Sequence, residues 1–294
     1  MPQSHAVSGW RFFWLAATMV SLAMIVAMAR ADLASAAAIS SLIQLSVRCA
    51  VPWLYLAFAA SSVQAVFPGA AGRWLLMNRK YIGLVFAAAM AWQGFFILWL
   101  VVVHTDYYVE EVYVLRDAIE GVVGYLFLAL MTITSFGFAR RRLSARSWKL
   151  LHTAGIYYLW GYAFIVYWWA LFIYRNPVLL DYVYYWGGFA ACCLRAAAWG
   201  KRQLAQSEKR ARFHPSLSYA GFALVGLGLL GGALGSLWQP LTDKYLYGYE
   251  ITRIPELYLP YWPFEPFLPL AIIAAGIYLV SRAGDQVTPE AQAV

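Results

Sequence analysis

Eight long apolar stretches constrain this chain more than any other feature of its sequence. A helix needs about 20 mostly apolar residues to cross about 30 Å of hydrocarbon, because each residue rises about 1.5 Å. Charged residues make up only 12% of the chain, whereas an average soluble domain has about 25%. The sequence therefore predicts an all-α, polytopic membrane helix bundle. We expect about eight transmembrane helices, at residues 12–30, 38–66, 81–104, 117–138, 148–173, 179–199, 217–238 and 266–282.

The first apolar stretch has two interpretations. The residues Ala34–Ala36 read "ASA", which resembles the small-residue cleavage site of a signal peptide. Its apolar run, however, exceeds the usual length of about 7 to 15 residues, and Arg11 is the only charge before it. We favour a retained span. In the second stretch, Pro52 removes a backbone donor and predicts a kink.

The basic residues predict the orientation in the membrane. If the N-terminus is cytoplasmic, 15 of the 22 Lys and Arg residues fall on the cytoplasmic side and five on the other. Lys and Arg are preferentially retained inside, so both termini are expected to be cytoplasmic. The net charge of +8 is then mainly a topology signal. It favours the lipid bilayer as partner and argues against nucleic acid. The eight spans predict a multi-pass membrane protein, which we expect in the cell inner membrane.

Loop composition predicts that the chain is organised in three parts. Residues 1–200 form a six-helix core, 201–216 a basic cytoplasmic loop, and 217–294 a transmembrane hairpin with an aromatic outer loop and a polar tail. The "GLGLLG" at 226–231 matches GxGxxG but follows no strand, so we predict neither a flavin nor a nicotinamide site. Its small-residue spacing instead predicts close helix packing, at Gly228, Gly231, Gly232 and Gly235.

His104 and His152 are the histidines placed to act as ligands. His152 lies about 6 Å inside the basic end of its span, whereas His104 lies at the opposite end of the third span, about 35 Å from Tyr81. They cannot share one metal ion. Either one could instead be an interfacial residue that binds water or a carbonyl.

Arg48 lies about 15 Å inside the second span. An arginine at that depth costs at least about 2.5 kcal/mol, so it should face the bundle interior and have a partner. A structural ion pair and a contact with a functional anion are both open. The nearest carboxylates in the predicted topology are Glu120 and Asp117, with Glu110 and Glu111 as alternatives.

Three sequence motifs carry a family resemblance. The fourth span ends in "LMTITSFGFARRRL", and "RSWKLLH" and a Tyr pair follow it. Upstream, "NRKYIGL" at Asn78–Leu84 opens the third span, and Arg48 lies in the second. In this order the motifs resemble the ferric reductase-like transmembrane domain, and within it the heme-binding membrane subunit of the methionine sulfoxide reductase system. The resemblance covers residues 40 to 175.

The resemblance implies a six-helix bundle that carries b-type heme between histidine pairs on the third and fifth helices. A cytoplasmic flavoprotein would supply the electrons. In this chain the third-helix ligand position falls at Gln93, and the second fifth-helix position falls at Ile165 or Val166. Only His152 matches a ligand, so we expect at most one heme b, with His152 on the iron. The candidate cofactor-binding residues are His152, His104, Arg48 and Gln93.

Three functional hypotheses follow. The first is a b-heme electron-transfer subunit, at most the membrane subunit of an oxidoreductase, since the chain has no complete catalytic site. The second is a heme-free scaffold or accessory protein that has kept the bundle. The third is a small-solute transporter in which Arg48 faces the substrate. The basic cluster "RRRLSARSWK" either holds the topology or meets an acidic flavoprotein face or heme propionates.

Overall fold

The computed structural model describes residues 7–172, 176–207, 215–242 and 265–282, and no β-strand occurs in these ranges. The prediction of an all-helical fold is confirmed. The long helices are α1 (Gly9–Arg30), α2 (Ala36–Val66), α3 (Ala70–Val103), α5 (Leu115–Ile133), α7 (Ala145–Phe172), α8 (Leu179–Ser207), α9 (Pro215–Ala233) and α11 (Leu268–Arg282). Shorter helices are α4 (Thr105–Tyr107), α6 (Gly137–Arg140) and α10 (Gly235–Thr242); a π-helical turn spans Tyr108–Val112 and a 3-10 turn Glu265–Phe267.

Within the described ranges, four helices are long and apolar enough to cross a membrane: Gly9–Arg30, Ala36–Val66, Ala70–Val103 and Ser216–Ala233. Many large apolar side chains on these helices point away from the protein. On α1, for example, Met19 is 65% and Leu22 is 58% exposed. Apolar surface of this extent suits lipid contact. The protein is thus an all-helical chain with the properties of an integral membrane protein.

Each predicted span falls on a helix, but several boundaries differ. α3 begins at Ala70, eleven residues before the predicted start, because the basic residues at its beginning are good helix formers and are compatible with helix outside hydrocarbon. Predicted span 117–138 is interrupted after Ile133, and span 217–238 is interrupted between Ala233 and Gly235. The loop residues 208–214, most of the aromatic outer loop and the polar tail lie outside the described residues.

The chain divides into two compact units. Unit 1 comprises Met1–Ala60 and Ala70–Ala163, and unit 2 comprises Ser61–Gly69 and Phe164–Val294. Two of the three boundaries between the units fall within helices α2 and α7, and the third falls in the loop between α2 and α3. The three parts predicted from loop composition stay a prediction about membrane organisation.

Unit 1 packs α1 against α3. One of its buried clusters consists of Met24, Ile39, Leu42, Phe96 and Leu100, which come from α1, α2 and α3. Where the outer surface of the helices meets lipid, such packing stabilises the fold through van der Waals contact, because lipid tails are as apolar as these side chains.

The chain entering α1 is fastened to α3 by an asparagine. Asn78 is 1% exposed, and its Oδ1 accepts a 2.8 Å hydrogen bond from the Gly9 N–H. Its Nδ2 donates to the Trp74 carbonyl at 2.9 Å, and Trp74 Nε1 donates to the Val7 carbonyl at 3.1 Å. Gly9 has φ +65°, a conformation that favours glycine. These contacts fix the start of α1.

In unit 2, α11 packs on α9 and α8, and glycines let the α9 and α11 backbones approach. A Cβ on Gly221 would lie 2.6 Å from the Gly276 carbonyl oxygen, and one on Gly276 would lie 2.5 Å from the Gly221 carbonyl oxygen. A Cβ on Gly228 would lie 2.6 Å from the Pro269 carbonyl oxygen. The predicted packing role is confirmed for Gly228 and also for Gly232, where a Cβ would lie 2.6 Å from the Phe189 ring of α8.

Candidate functional site: the corner between α5 and α7

His152 lies in a corner where α5 ends and α7 begins. Helix α5 stops at Thr134, which has φ −75° and ψ −3° and whose backbone N–H still bonds to the Leu130 carbonyl. The short α6 turn follows. Ser144 then precedes α7, and its Oγ accepts a 3.0 Å bond from the Ser147 N–H, as an N-capping serine does. This tight connection brings the first turns of α7 back to the end of α5.

The imidazole of His152 is held by Thr134. The distance from His152 Nε2 to Thr134 Oγ1 is 3.0 Å, and Thr134 itself is 7% exposed. Trp148 Nε1 donates to the Thr134 carbonyl at 3.1 Å. Thr134 therefore binds two side chains of α7, one through its hydroxyl and one through its backbone.

Rings and a cation stack along the same corner. The Trp148 and His152 rings lie one helical turn apart, with centroids 4.3 Å apart and planes tilted by 31°. The Arg140 guanidinium lies 4.2 Å from the centre of the Trp148 ring, which is cation–π distance. The contacts are thus continuous from Arg140 through Trp148 and His152 to Thr134.

Gln93 connects a different pair of helices, α3 and α5. Its Oε1 accepts a 2.9 Å bond from the Tyr125 hydroxyl, which also lies 3.1 Å from the Met90 carbonyl oxygen. Tyr125 precedes Thr134 by nine residues on α5, or about 13 Å along the helix axis. Gln93 and His152 therefore do not meet at one site.

The other two predicted site residues lie elsewhere. His104 follows the end of α3 at the start of α4, and its Nε2 is a buried atom without a hydrogen-bond partner among the residues that the structure describes. Arg48 is half-buried in α2 and interacts with another group, as expected for an arginine at that depth. The identity of its predicted carboxylate partner stays a prediction.

The residues around His152 do not fit a b-type heme. An axial ligand offers its imidazole nitrogen to the iron, but Nε2 is already within hydrogen-bond distance of Thr134. One turn further along α7, the space over Gly155 is filled by the Met131 thioether and the Phe127 ring. Among the described residues, no group of three or more His, Cys, Asp or Glu side chains could hold a metal ion.

Sequence reasoning missed the partners of His152. Thr134 and Trp148 belong to the motifs that carry the family resemblance, but neither was given a role. The four-residue separation of Trp148 and His152 is a usable signal, since such pairs are neighbours on a helix. The bond to Thr134 has no equivalent signal, because it depends on how the loop folds back.

The chain was compared with family models, with curated proteins and with solved structures, and none of the three comparisons found a match. The ferric reductase-like interpretation rests on the motifs quoted above.

Proposed function

We propose that this chain is a heme-free accessory or scaffold protein of the ferric reductase-like type, with about eight transmembrane helices in the inner membrane. Both termini are cytoplasmic in this proposal. The chain carries out no catalysis itself and presents a rigid helical bundle to its partners in the bilayer.

The observation that carries this proposal is the engagement of His152. It is the one residue that matches a ligand of the resembled family, and its Nε2 lies 3.0 Å from the Thr134 hydroxyl. The Trp148 ring covers it, with a centroid separation of 4.3 Å. These contacts support a structural role, in which the imidazole ties the first turns of α7 to the end of α5.

A scaffold role also agrees with the contacts of Gln93, which lies at the third-helix ligand position. Gln93 ties α3 to α5 through the Tyr125 hydroxyl at 2.9 Å. In a membrane, side-chain hydrogen bonds between helices stabilise association by about 0.6 kcal/mol on average. Two of the positions that the family uses for heme ligands, His152 and Gln93, thus make contacts that hold helices together.

Visible spectroscopy tests the proposal directly. The protein is purified in detergent from heme-replete cells, and a reduced-minus-oxidised spectrum is recorded for wild type, His152→Ala and the control His104→Ala. We expect a flat spectrum for all three. A b-type alpha band that disappears in His152→Ala and persists in His104→Ala would overturn the proposal and establish heme b on His152.

Topology is tested separately. Single cysteines at Ser144 and at Glu110, in a background without Cys49, Cys192 and Cys193, are labelled with a membrane-impermeant maleimide in intact cells. We expect labelling at Glu110 only, because Ser144 lies in the basic loop placed in the cytoplasm. Labelling at Ser144 only would reverse the proposed orientation.

A further inference from the structure

A second set of contacts at the basic end of unit 1 has no part in the scaffold proposal. We name it the cation–aromatic surface and define it by Trp10, Lys80, Tyr81, Phe136, Arg140 and Trp148. These residues come from α1, α3, the turn before α6, α6 itself and α7. All belong to unit 1.

Lys80 lies among three aromatic rings. Its Nζ is 5.7 Å from the Trp10 ring centre, 5.8 Å from Tyr81 and 5.3 Å from Phe136. The Trp10 and Phe136 rings stack at 6.2 Å, and Trp10 meets Tyr81 edge-on at 5.4 Å. Ring faces hold a cation in place by their quadrupole but accept none of its N–H bonds as a phosphate would. The rings therefore position the Lys80 ammonium and leave its N–H donors available to a ligand.

Arg140 is held in the same way nearby. Its guanidinium lies 4.2 Å from the Trp148 ring centre, and its backbone N–H donates to the Phe136 carbonyl at 3.0 Å. Residues four apart on a helical turn are neighbours, about 5–6 Å between Cβ atoms. Phe136 therefore connects the two held cations. Both Lys80 and Arg140 are exposed.

The sequence segments that build this surface contain no carboxylate. Residues 1–31, 33–105 and 121–180 contain no Asp or Glu. Asp32 lies beyond the far end of α1, about 33 Å along that helix from Trp10. Asp117 and Glu120 lie at the start of α5, at least about 20 Å along that helix from Thr134. The counter-ion for this surface must come from outside these segments.

The surroundings of the surface are those of a membrane boundary. Trp and Tyr rings lie well at headgroup level, and Lys and Arg near helix ends reach the interface. Exposed apolar side chains occur on the same elements: the Phe138 ring, 64% exposed, stacks on the Phe136 ring at 6.2 Å, and Leu150 of α7 is 68% exposed. A surface that combines exposed cations with exposed apolar groups matches a lipid better than a soluble acidic protein.

We propose that the cation–aromatic surface binds the phosphate headgroup of an anionic phospholipid, with the Lys80 ammonium and the Arg140 guanidinium donating to phosphate oxygens. Basic sites on the cytoplasmic side of membrane helices recognise anionic headgroups by this chemistry. The inference goes beyond the scaffold proposal and rests only on insertion in the membrane, so it stands whether or not heme is bound.

Lipid titration monitored by native mass spectrometry tests the proposal. The delipidated full-length protein is titrated with phosphatidylglycerol and with phosphatidylcholine of the same acyl chains. We expect phosphatidylglycerol adducts at lower concentration. Lys80→Gln and Arg140→Gln should each raise the half-saturating concentration about fivefold. The matched control is Arg73→Gln, which removes one exposed charge from the same helix as Lys80 without a ring contact, and it should have little effect.

Four outcomes would overturn the proposal. These are equal binding of the two lipids, an equal loss in Arg73→Gln, suppression of lipid binding by an equal concentration of inorganic phosphate, and saturable binding of a polyglutamate peptide in place of lipid. Lys80→Arg separates binding from folding, since it keeps a cation over the rings and should retain lipid. Loss of binding in Lys80→Arg with an unchanged melting temperature would also contradict the assignment.

Discussion

The α5–α7 corner of unit 1 and the α9–α11 pair of unit 2 achieve close helix contact by different means. In the corner, the contacts are made by side chains: Thr134, Trp148 and His152 form hydrogen bonds and a ring contact across the turn. In the α9–α11 pair, backbones meet directly, with Gly221 and Gly276 facing each other's carbonyl oxygens. A side chain can rotate away from an added atom, whereas two packed backbones can only separate. The same type of substitution should therefore cost far more in unit 2.

The largest effect is expected for Gly276→Leu. Its side chain would start 2.5 Å from the Gly221 carbonyl oxygen and 2.9 Å from the Val225 nitrogen, so α9 and α11 must move apart. We expect the free energy of unfolding to fall by about 3 kcal/mol, at the upper end of overpacking costs. SDS titration of the detergent-solubilised protein measures it. Gly226→Leu on α9 is the control, because a Cβ there meets nothing within 4 Å; an equal loss in the control would refute the backbone-contact argument.

Asn78→Leu should have the next largest effect, in unit 1. The substitution keeps the approximate volume but leaves the Gly9 N–H and the Trp74 carbonyl without their side-chain partner. We expect a loss of about 2 kcal/mol, the range for a broken buried polar contact. Limited proteolysis near residue 7 should become faster at the same time. Ser41→Ala removes an exposed 3.0 Å hydrogen bond on α2 and serves as the control; unchanged proteolysis in Asn78→Leu would contradict the anchoring role.

Thr134→Val removes the hydroxyl that contacts His152 Nε2 and also donates to the Leu130 carbonyl at 2.6 Å, and it keeps the backbone carbonyl that Trp148 binds. We expect a loss of about 1 kcal/mol in the free energy of unfolding, as for the one bond between helices, because a threonine bond to a carbonyl of its own helix contributes little. Thr105→Val, which removes an exposed hydroxyl bond to the Val101 carbonyl, should cost less. If His152→Ala and Thr134→Val each destabilise and the double variant is no worse than either, the two residues act as a pair. Additive losses would show that they do not.

The smallest effect is expected for Gly155→Ala. Its Cβ would meet the Met131 sulfur, the far end of a flexible side chain, and the Phe127 ring at 3.1 Å. Alanine also returns about 1 kcal/mol of helix propensity relative to glycine. We expect a net change below about 0.5 kcal/mol. Gly276→Ala is the matched comparison and should be clearly destabilising in the same SDS titration. A larger loss in Gly155→Ala than in Gly276→Ala would reverse the comparison between the two regions.

The sequence determined the helical class, the positions of the long helices and the suitability for a membrane. These properties depend on local composition, because an apolar run of sufficient length must satisfy its backbone bonds internally in any apolar surroundings. The glycine spacing on α9 likewise predicted close packing at Gly228. The sequence also located His152 near a basic turn, which is where the structure has it.

Only the tertiary structure decided which groups those residues meet. The pairing of His152 with Thr134 depends on how the chain turns between α5 and α7, and the placement of Lys80 among three rings requires α1, α3 and the α6 turn to converge. The choice of Gly221 and Gly276 as the contact between α9 and α11 depends on the register of two helices far apart in sequence. Such contacts are set by packing between segments that are distant in sequence. Local hydropathy and residue spacing carry no information about that packing.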